Sequence, residues 1–317
     1  MELVTLDEIR AAAGTLENIA VRTPLLPCHW ADSDRPLWIK PESLQPVGAF
    51  KIRGAYHAIT RLPADDRARG VVAYSSGNHA QAVAYAARVF GIPAAIVVED
   101  SAPVIKVEAT RALGAAGVQV PLPERETAAA AIAAERGRTL IPPFDHPDVI
   151  AGQGTIGLEI VADLPDVELV LVPVSGAGLL AGTAAAVKSL APSAAVVGVE
   201  PELGADTRAS LAAGELIRWP PALRARTVAD GLRAEPSELT FAHVRKLVDD
   251  IVTVSEEEIL ATIVTLARRA RLIAEPSGAT ATAAYLHRGN DLPAGRTVTI
   301  VSGGNIDPTL LTRLLTG

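Results

Sequence analysis

Only five lysines occur in the chain, so the search for an amine that could hold a carbonyl cofactor as a Schiff base is short. Lys51 differs from the others because it follows Gly48, Ala49 and Phe50 at a predicted junction between a loop and a helix. An aromatic neighbour and partial burial there would lower the pKa of the amine towards nucleophilic reactivity. The alternative is an ordinary lysine on the surface.

The other four lysines favour solvated faces. Lys106 and Lys188 lie on predicted helices with polar neighbours, and Lys246 precedes a pair of aspartates. Lys40 is expected to pair with Glu42 beside it. Lys51 is therefore the candidate nucleophile.

A second polar loop, SSGNH at 75–79, directly follows the predicted strand VVAY. Its hydroxyls, amide and imidazole stand at the N-terminus of a helix, where free backbone N–H groups and the helix dipole favour an anion. The carboxylate of an amino acid would fit there. The alternative is simple helix capping by Ser75 or Ser76, with His79 on the surface.

The glycine-rich loop SGAGL at 175–179 follows the strand LVLVPV and offers an anion-binding nest suited to a phosphate. The same segment satisfies a dinucleotide fingerprint, with Gly176, Gly178 and Ala181 before a helix and Glu200 at the end of the next strand. A nicotinamide or flavin oxidoreductase is therefore a competing hypothesis. Against it, such a fingerprint usually opens its domain, whereas several β/α units precede this one.

The elements that position these loops alternate between strands and helices. Thr5 and Glu8 predict a capping box at the first helix, and Lys51 opens another helix in AFKIRGAYHAITRL. Apolar segments such as VVAYS, AAIVVE, LVLVPV and AVVGVE are separated by helical patterns, including one from Ala102. This alternation predicts an α/β fold with parallel sheets, and the last strand, TVTIVS, delivers Ser302 to the edge where ligands bind.

The composition of the 317 residues, 49% hydrophobic and 21% charged, permits a large core, and the low aromatic content suits close packing through small side chains. A net charge of −7 disfavours nucleic-acid binding and leaves a small-molecule site as the expectation. The single cysteine, Cys28, fits a reducing cytoplasm, and the N-terminus does not resemble a signal peptide. The uncharged stretch 169–187 approaches membrane-spanning length, but its proline and glycines predict a strand, a turn and a helix instead.

Seven segments in order resemble the landmarks of fold-type II pyridoxal-phosphate enzymes: KPESLQPVGAFKIRGA, SSGNHAQ, PPFDHP, IAGQGT, VSGAGLLAG, EPSGA and SGGN. Within that group the segments FKIRGA and VIAGQGT are more similar to threonine dehydratases and serine racemases than to cysteine synthases. The resemblance implies a two-domain α/β fold like that of the tryptophan synthase β subunit, with parallel-rich twisted sheets flanked by helices and the cofactor in the cleft. It implies a large domain of 1–62 and 143–317, and an inserted small domain of 63–142 that carries the SSGNH loop.

The resemblance also implies a role for each site residue. Lys51 would hold pyridoxal phosphate covalently, Phe50 would pack beside it, and Asn78 would bind its 3-hydroxyl oxygen. Ser302 would face the pyridine nitrogen. The remaining implied cofactor contacts are Ser175, Gly176, Ala177, Gly178, Leu179 and Glu275. The implied substrate contacts are Ser75, Ser76, Gly77, Asn78 and His79.

The implied activity is that of an ammonia-lyase on L-threonine or L-serine, giving 2-oxobutanoate or pyruvate and ammonia. A neutral hydroxyl at Ser302 does not force the pyridine nitrogen to stay protonated, which favours elimination of a β-substituent. Ser76 keeps serine racemase as an alternative, because racemases carry a serine there as a catalytic acid and base and dehydratases often carry alanine. Other open substrates are 3-hydroxyaspartate and a hydroxylated diamino acid derived from ectoine breakdown; a catalytically silent amino-acid-binding protein is a third class.

Glu200, Gly204 and Asp206 resemble the divalent-cation site of racemase-like members, which would hold Mg²⁺ or Ca²⁺. Two solvated carboxylates are the alternative. The sequence departs from the family pattern in SGAG, where four glycines are usual, and at Ala49, where serine is common; both reshape the site. The chain ends soon after SGGN, so we expect no regulatory domain, and the resemblance implies a homodimer.

Overall fold

The computed structural model describes residues 2–100 and 104–317, and these form two β-sheets. The larger sheet comprises β1 (Leu26–Pro27), β2 (Leu37–Pro41), β7 (Leu169–Pro173), β8 (Ala195–Pro201), β9 (Asp250–Val254) and β10 (Thr297–Val301). The smaller comprises β3 (Val71–Tyr74), β4 (Ala94–Glu99), β5 (Ala116–Val120) and β6 (Thr139–Leu140). Their strand orders are β1-β2-β10-β7-β8-β9 and β5-β4-β3-β6, and every pairing is parallel except β1 with β2. The predicted α/β fold with parallel-rich sheets is confirmed.

Helices connect and cover these strands. They are α1 (Leu6–Thr15), α2 (Lys51–Arg61), α3 (Ala64–Arg69), α4 (Asn78–Phe90), α5 (Val104–Ala112), α6 (Arg125–Arg136), α7 (Pro147–Asp163), α8 (Gly178–Leu190), α9 (Asp206–Ala213), α10 (Pro221–Arg224), α11 (Glu238–Leu247), α12 (Glu256–Thr265), α13 (Pro276–His287) and α14 (Pro308–Thr316). A π-helical segment, Leu266–Ala270, continues α12. The predicted start of the fifth helix at Ala102 lies outside the described residues, as does the side chain of Lys106.

Each sheet draws its strands from one part of the chain. All four strands of the smaller sheet come from the stretch between Val71 and Leu140, and the larger sheet takes the segments on either side. The domain limits 1–62, 63–142 and 143–317 stay a prediction, which this distribution of strands supports. Among the described residues, no helix has the length and apolar character needed to cross a membrane. The stretch 169–187 consists of β7, a turn and most of α8.

Glycines allow α7 and α8 to pack closely behind the larger sheet. A Cβ atom on Gly182 would lie 2.3 Å from the Ile150 carbonyl oxygen, and one on Gly154 would lie 2.9 Å from the Gly182 carbonyl oxygen. Strand β7 is buried along its whole length, as expected for a parallel strand covered on both faces. This packing fixes the start of α8, and with it the glycine-rich loop, against the rest of the domain.

Lys40 does not lie on a solvated face as predicted; its side chain is fully buried. Its Nζ donates to the Thr23 carbonyl oxygen and to Glu159 Oε2, both at 2.5 Å. Burial lowers the pKa of Lys40, and the charges of Glu159 and Glu42 oppose that shift. The sequence interpretation was wrong because Glu159 comes from α7, far along the chain, and the lysine is held inside a charged cluster that only the tertiary fold assembles.

Arg53 completes that cluster and links α2 to its surroundings. Its guanidinium donates to both oxygens of Glu42, at 2.7 and 2.8 Å, and to both oxygens of Glu159, at 2.6 and 2.9 Å. Burial alone would raise the pKa of Glu42, but the charge and hydrogen bonds of Arg53 lower it overall. Because α2 begins at Lys51, the cluster anchors the helix that carries the candidate nucleophile.

Candidate active site

Lys51 is the first residue of α2, as predicted, and its amine points into the protein interior. Nζ donates to the Pro143 carbonyl oxygen at 2.7 Å and lies 5.0 Å from the centroid of the Phe50 ring. Burial lowers the pKa of Lys51 to about 8. More of the amine is therefore unprotonated near neutral pH than in an ordinary lysine, and the unprotonated state is the one that attacks a carbonyl or accepts a proton.

The end of β10 lies beside the start of α2. The Phe50 backbone N–H donates to the Ser302 carbonyl oxygen at 3.0 Å, and the Ser302 side chain is buried. Ser302 is thus held next to the residue that precedes Lys51. The contact joins the chain's last strand to its candidate nucleophile.

Asn78 and Glu275 meet beside Ser302. The Asn78 amide donates to Glu275 Oε1 at 2.5 Å, and the Glu275 backbone N–H donates to the Gly303 carbonyl oxygen at 3.1 Å. A Cβ atom on Gly303 would lie 2.2 Å from Glu275 Oε1, so only glycine permits this approach. Asn305 also donates from Nδ2 to Asn78 Oδ1 at 2.8 Å. The structure therefore brings together the predicted residues Asn78, Glu275 and Ser302.

The glycine-rich loop lies against the PPFDHP segment. A Cβ atom on Gly176 would lie 2.4 Å from the Phe144 ring, and one on Gly178 would lie 2.8 Å from the Phe144 Cβ. The Ser175 hydroxyl accepts from the Ala234 backbone N–H at 3.0 Å. The loop continues through Leu179 into the first turn of α8, whose backbone N–H groups have no partner within the helix. This arrangement suits a phosphate.

Ala177 is the N-cap of α8 and has a left-handed backbone, with φ of 60° and ψ of 8°. A side chain is strained in that conformation and glycine is not. Ala177→Gly is therefore expected to raise the free energy of unfolding by about 0.5–1 kcal/mol. Urea denaturation measures the change. Ala181→Gly, inside the same helix, is the matched control and should destabilise by about 1 kcal/mol or more; equal losses in both variants would contradict the strain.

The SSGNH loop precedes α4, whose N-cap is Gly77, so capping by Ser75 or Ser76 is wrong as an interpretation. The Ser75 hydroxyl instead accepts from the Gly77 backbone N–H at 3.1 Å, and the Ser76 hydroxyl donates to Glu99 Oε1 at 2.8 Å. Neither of these hydrogen bonds caps the first turn of α4. The loop lies at the carboxyl end of β3, where parallel sheets place ligand sites.

The capping alternative placed His79 on the surface, which is wrong, because its side chain is buried. Nε2 lies 2.8 Å from the Ile141 carbonyl oxygen. Burial, with the charge of Lys51 as a second cause, lowers the pKa of His79 to about 3. The imidazole is therefore neutral at physiological pH. It lies close enough to Lys51 for the charge of the lysine to affect its pKa. A direct contact between His79 and substrate stays a prediction.

Sequence reasoning missed three contributors to this site. Pro143 and Phe144 lie within PPFDHP, which was used only as a landmark, and Asn305 ends the SGGN segment. The signal was present in both cases, because each segment follows a strand of a parallel sheet. What the sequence could not show is that the PPFDHP segment contacts Lys51 and the glycine-rich loop at once.

Glu200 and Asp206, predicted as metal ligands, are both buried, so two solvated carboxylates is the wrong interpretation of them. Glu200 ends β8 and accepts from the backbone N–H groups of Thr207 and Arg208, at 3.1 and 2.8 Å. Burial raises the pKa of Glu200 to about 8 and that of Asp206 to about 6. Asp206 Oδ2 has no hydrogen-bond partner among the described residues, and Arg224 Nε lies 3.7 Å away. An orphaned buried carboxylate oxygen is chemically suited to a hard cation.

Gly204 ends the short 3₁₀ turn that joins these two carboxylates. Within the described ranges, no group of three or more His, Cys, Asp or Glu side chains forms a metal cluster. A cation here would therefore need oxygen ligands beyond the two carboxylates, such as backbone carbonyls or water. The metal site stays a prediction.

Comparison with known proteins agrees with this geometry. A family model described as "Pyridoxal-phosphate dependent enzyme" matches residues 16–303. The chain is 44% identical to an L-threonine ammonia-lyase of Thermotoga maritima, over 99% of this chain and 78% of that protein. It is 38% identical to an L-threo-3-hydroxyaspartate ammonia-lyase of Saccharomyces cerevisiae, over 100% and 98% of the two chains. The solved structure of maize serine racemase superimposes with a TM-score of 0.93 at 36% identity, covering 98% of each chain.

Proposed function

The chain belongs to the family of pyridoxal-phosphate dependent enzymes, and from that premise we propose that it is an ammonia-lyase that converts L-threonine and L-serine to 2-oxobutanoate and pyruvate. The observation that carries the proposal is Lys51, whose amine has a pKa lowered to about 8 and lies beside both the PPFDHP segment and the end of β10. Family membership argues against the nicotinamide hypothesis. A silent binding protein would not need an amine of this reactivity.

The residues around Lys51 fit the cofactor. The glycine-rich loop and the first turn of α8 would hold its phosphate, and Phe50 would pack against its ring. Asn78, fixed between Glu275 and Asn305, would present its amide to the ring's 3-oxygen, and Ser302 would offer a neutral hydroxyl to the ring nitrogen. When bound, pyridoxal phosphate supplies an electron sink for the electron pair left when the α-proton is removed.

The chain's own residues then handle the substrate and its protons. The free backbone N–H groups at the start of α4 would bind the substrate carboxylate. Lys51, held by Pro143, would remove the α-proton as a general base. The β-hydroxyl would leave as water by taking up a proton supplied near the phosphate, and the resulting enamine, after release, would hydrolyse to the 2-oxo acid and ammonia. The pKa of His79 is lowered to about 3, so its imidazole stays neutral and adds no positive charge beside Lys51.

The test is a visible absorption spectrum of the purified protein, with and without borohydride, followed by assay of 2-oxo acid from L-threonine, L-serine and 3-hydroxyaspartate. We expect a yellow, reducible chromophore and 2-oxo acid release, fastest with the true substrate. A chromophore without 2-oxo acid from any of the three would exclude a lyase for these amino acids in favour of racemisation or another substrate. A colourless protein that pyridoxal phosphate does not reconstitute would contradict the whole proposal.

Serine racemase is the second candidate function, and a specific contact favours it. Ser76 lies in the same loop as Asn78, and its hydroxyl donates a hydrogen bond to a carboxylate oxygen, Glu99 Oε1. Racemisation needs an acid and base on the face of the substrate opposite the lysine. Formation of D-serine from L-serine, measured by chiral chromatography alongside pyruvate, separates the two activities.

We also propose that Glu200, Asp206 and the Gly204 carbonyl hold a divalent cation such as Mg²⁺ or Ca²⁺, which stabilises the fold. A ligand that binds only the folded state adds stability that grows with its concentration, by about 2.7 kcal/mol at 100 times its Kd. The melting temperature of chelator-treated protein should therefore rise when Mg²⁺ is added. Asp206→Asn should abolish the rise, and Glu202→Gln, an exposed neighbour, should keep it. A melting temperature that neither chelator nor Mg²⁺ changes counts against the site.

The homodimer and the cytoplasmic location stay predictions. The first rests on the resemblance to the family and the second on the single cysteine, Cys28, whose side chain is buried. Light scattering of the purified protein measures the mass of the assembly directly. A mass equal to that of one chain would contradict the dimer and would leave the proposed lyase activity unaffected.

A further inference from the structure

Glu99 forms a bridge between Ser76 and the helix α6. Its Oε1 accepts from the Ser76 hydroxyl at 2.8 Å, and its Oε2 accepts from Arg125 Nη1 at 2.8 Å. Among the described residues, each carboxylate oxygen has one side-chain partner, and Arg125 pairs with the charge. The Ser76 proton is directed at a base, not at the cleft.

The sheet register explains why these residues meet. In the parallel pairing of β3 with β4, Tyr74 lies opposite Val97, so the residue two further along, Ser76, comes level with Glu99. The Ser75 backbone N–H continues the ladder by donating to the Val97 carbonyl oxygen at 3.0 Å. Backbone hydrogen bonds thus bring the two positions level with each other, which places the two side chains within reach.

Stability is a weak explanation for the bridge. The side chains of Glu99 and Arg125 are 18% and 27% exposed, and ion pairs with that access to solvent add little to folding. A serine hydroxyl at a loop could equally bond to water. In contrast, a carboxylate that accepts a hydrogen bond from a serine hydroxyl can take the serine proton, which makes the serine oxygen a competent proton acceptor. An arginine that holds the carboxylate in place preserves this arrangement.

We propose that Glu99 is a positioning residue for Ser76, holding its hydroxyl and taking its proton, so that the pair removes the α-proton of D-serine and other D-amino acids. The inference rests on the proposed function, since it requires the same cofactor and the same loop. It deepens that function by defining how the face opposite Lys51 works. Arg125 keeps the Glu99 carboxylate in position by donating to its Oε2.

The proton balance of the step is simple. The bond between the α-carbon and its hydrogen breaks, and the hydrogen becomes the new hydroxyl proton of Ser76. The original Ser76 proton moves along the existing hydrogen bond to Glu99 Oε1. The electron pair stays on the substrate, conjugated with the cofactor. Because Glu99 is partly exposed, its proton exchanges with water. Once the hydroxyl proton of Ser76 has also exchanged, through Glu99, the return step delivers solvent deuterium to the same carbon.

The experiment follows the α-proton of D-serine in deuterated water by NMR, using the holoenzyme. The two enantiomers present their α-protons to opposite faces, so D-serine exchange reports the Ser76 face and L-threonine elimination reports the Lys51 face. The ratio of the two rates is the readout. Glu99→Gln keeps the size and the hydrogen-bond acceptor but cannot take a proton, and Ser76→Ala removes the acceptor of the substrate proton.

We expect Glu99→Gln and Ser76→Ala each to lower the ratio by about 10²-fold, the usual contribution of a positioned acid or base. Glu99→Asp should recover part of the loss because it restores a carboxylate. Glu126→Gln, the same change at an exposed position beside Arg125, should leave the ratio at the wild-type value. A Glu99→Gln variant with the wild-type ratio would overturn the inference by reducing Glu99 to a structural role.

Failure of the inference is distinguishable from failure of the proposed function. A wild-type protein that releases 2-oxo acid from L-threonine but exchanges no proton of D-serine overturns the role of Glu99 and leaves the lyase intact. A protein that forms no reducible chromophore and performs neither reaction overturns both. The borohydride-reducible absorbance of each variant confirms that it is folded and loaded.

Discussion

Lys51→Ala is expected to lower release of 2-oxo acid from L-threonine by at least about 10³-fold, because the variant loses the amine that binds the cofactor and removes the α-proton. The geometry places no other described lysine at the site. Lys40 is bound inside the charged cluster, Lys188 pairs with Asp249, and Lys246 is exposed on α11. The measurement is steady-state turnover of protein reconstituted with pyridoxal phosphate.

Lys246→Ala is the matched control and should keep wild-type turnover. Borohydride reduction followed by peptide mass analysis provides an independent check, since the reduced cofactor should remain on the peptide that contains Lys51. In Lys51→Ala no reduced adduct should form. Retained turnover in this variant, or an adduct on another lysine, would remove the basis of the proposed mechanism.

Local sequence signals were sufficient to predict α1, β7 and α2, the helix that carries the candidate nucleophile. The capping box of Thr5 and Glu8 is present, and α2 begins at Lys51 as predicted. Both depend on interactions between residues close in the chain, which spacing alone reveals. The same holds for β7, whose uninterrupted apolar run is typical of a strand buried on both faces.

Several elements were not predicted, and two of them, α13 and β9, lack the pattern that reveals a helix or a strand. Helix α13, Pro276–His287, is buried along almost its full length and consists largely of small residues, so it has no amphipathic stripe. Strand β9, Asp250–Val254, begins with an exposed aspartate and is short. Neither shows the alternation between polar and apolar residues on which sequence interpretation depends.

Long-range partners account for the errors in the candidate site. Lys40 pairs with Glu159, a separation of 119 residues, and the His79 ring contacts Ile141, 62 residues away. The charged residue nearest in the sequence does not identify the ion-pair partner of a lysine when the fold brings another carboxylate closer, as it does for Lys40. The family resemblance located the cofactor residues, but it carried no information on these contacts, or on the bridge from Ser76 to Glu99.

Arg53→Met is expected to lower the free energy of unfolding by about 3–5 kcal/mol, the usual cost of leaving buried charges without their partner. Glu42 is fully buried and would lose the one guanidinium that binds it in the described part of the chain, while Glu159 would keep its contact with Lys40. Arg296→Met is the control, because Arg296 also binds two carboxylates, Asp166 and Glu168, but its side chain is 41% exposed. Exposed pairs contribute about 0–1 kcal/mol, so urea denaturation should separate the variants clearly. Equal losses would show that the cluster around Arg53 is not the anchor of α2, and that Lys51 is positioned by other contacts.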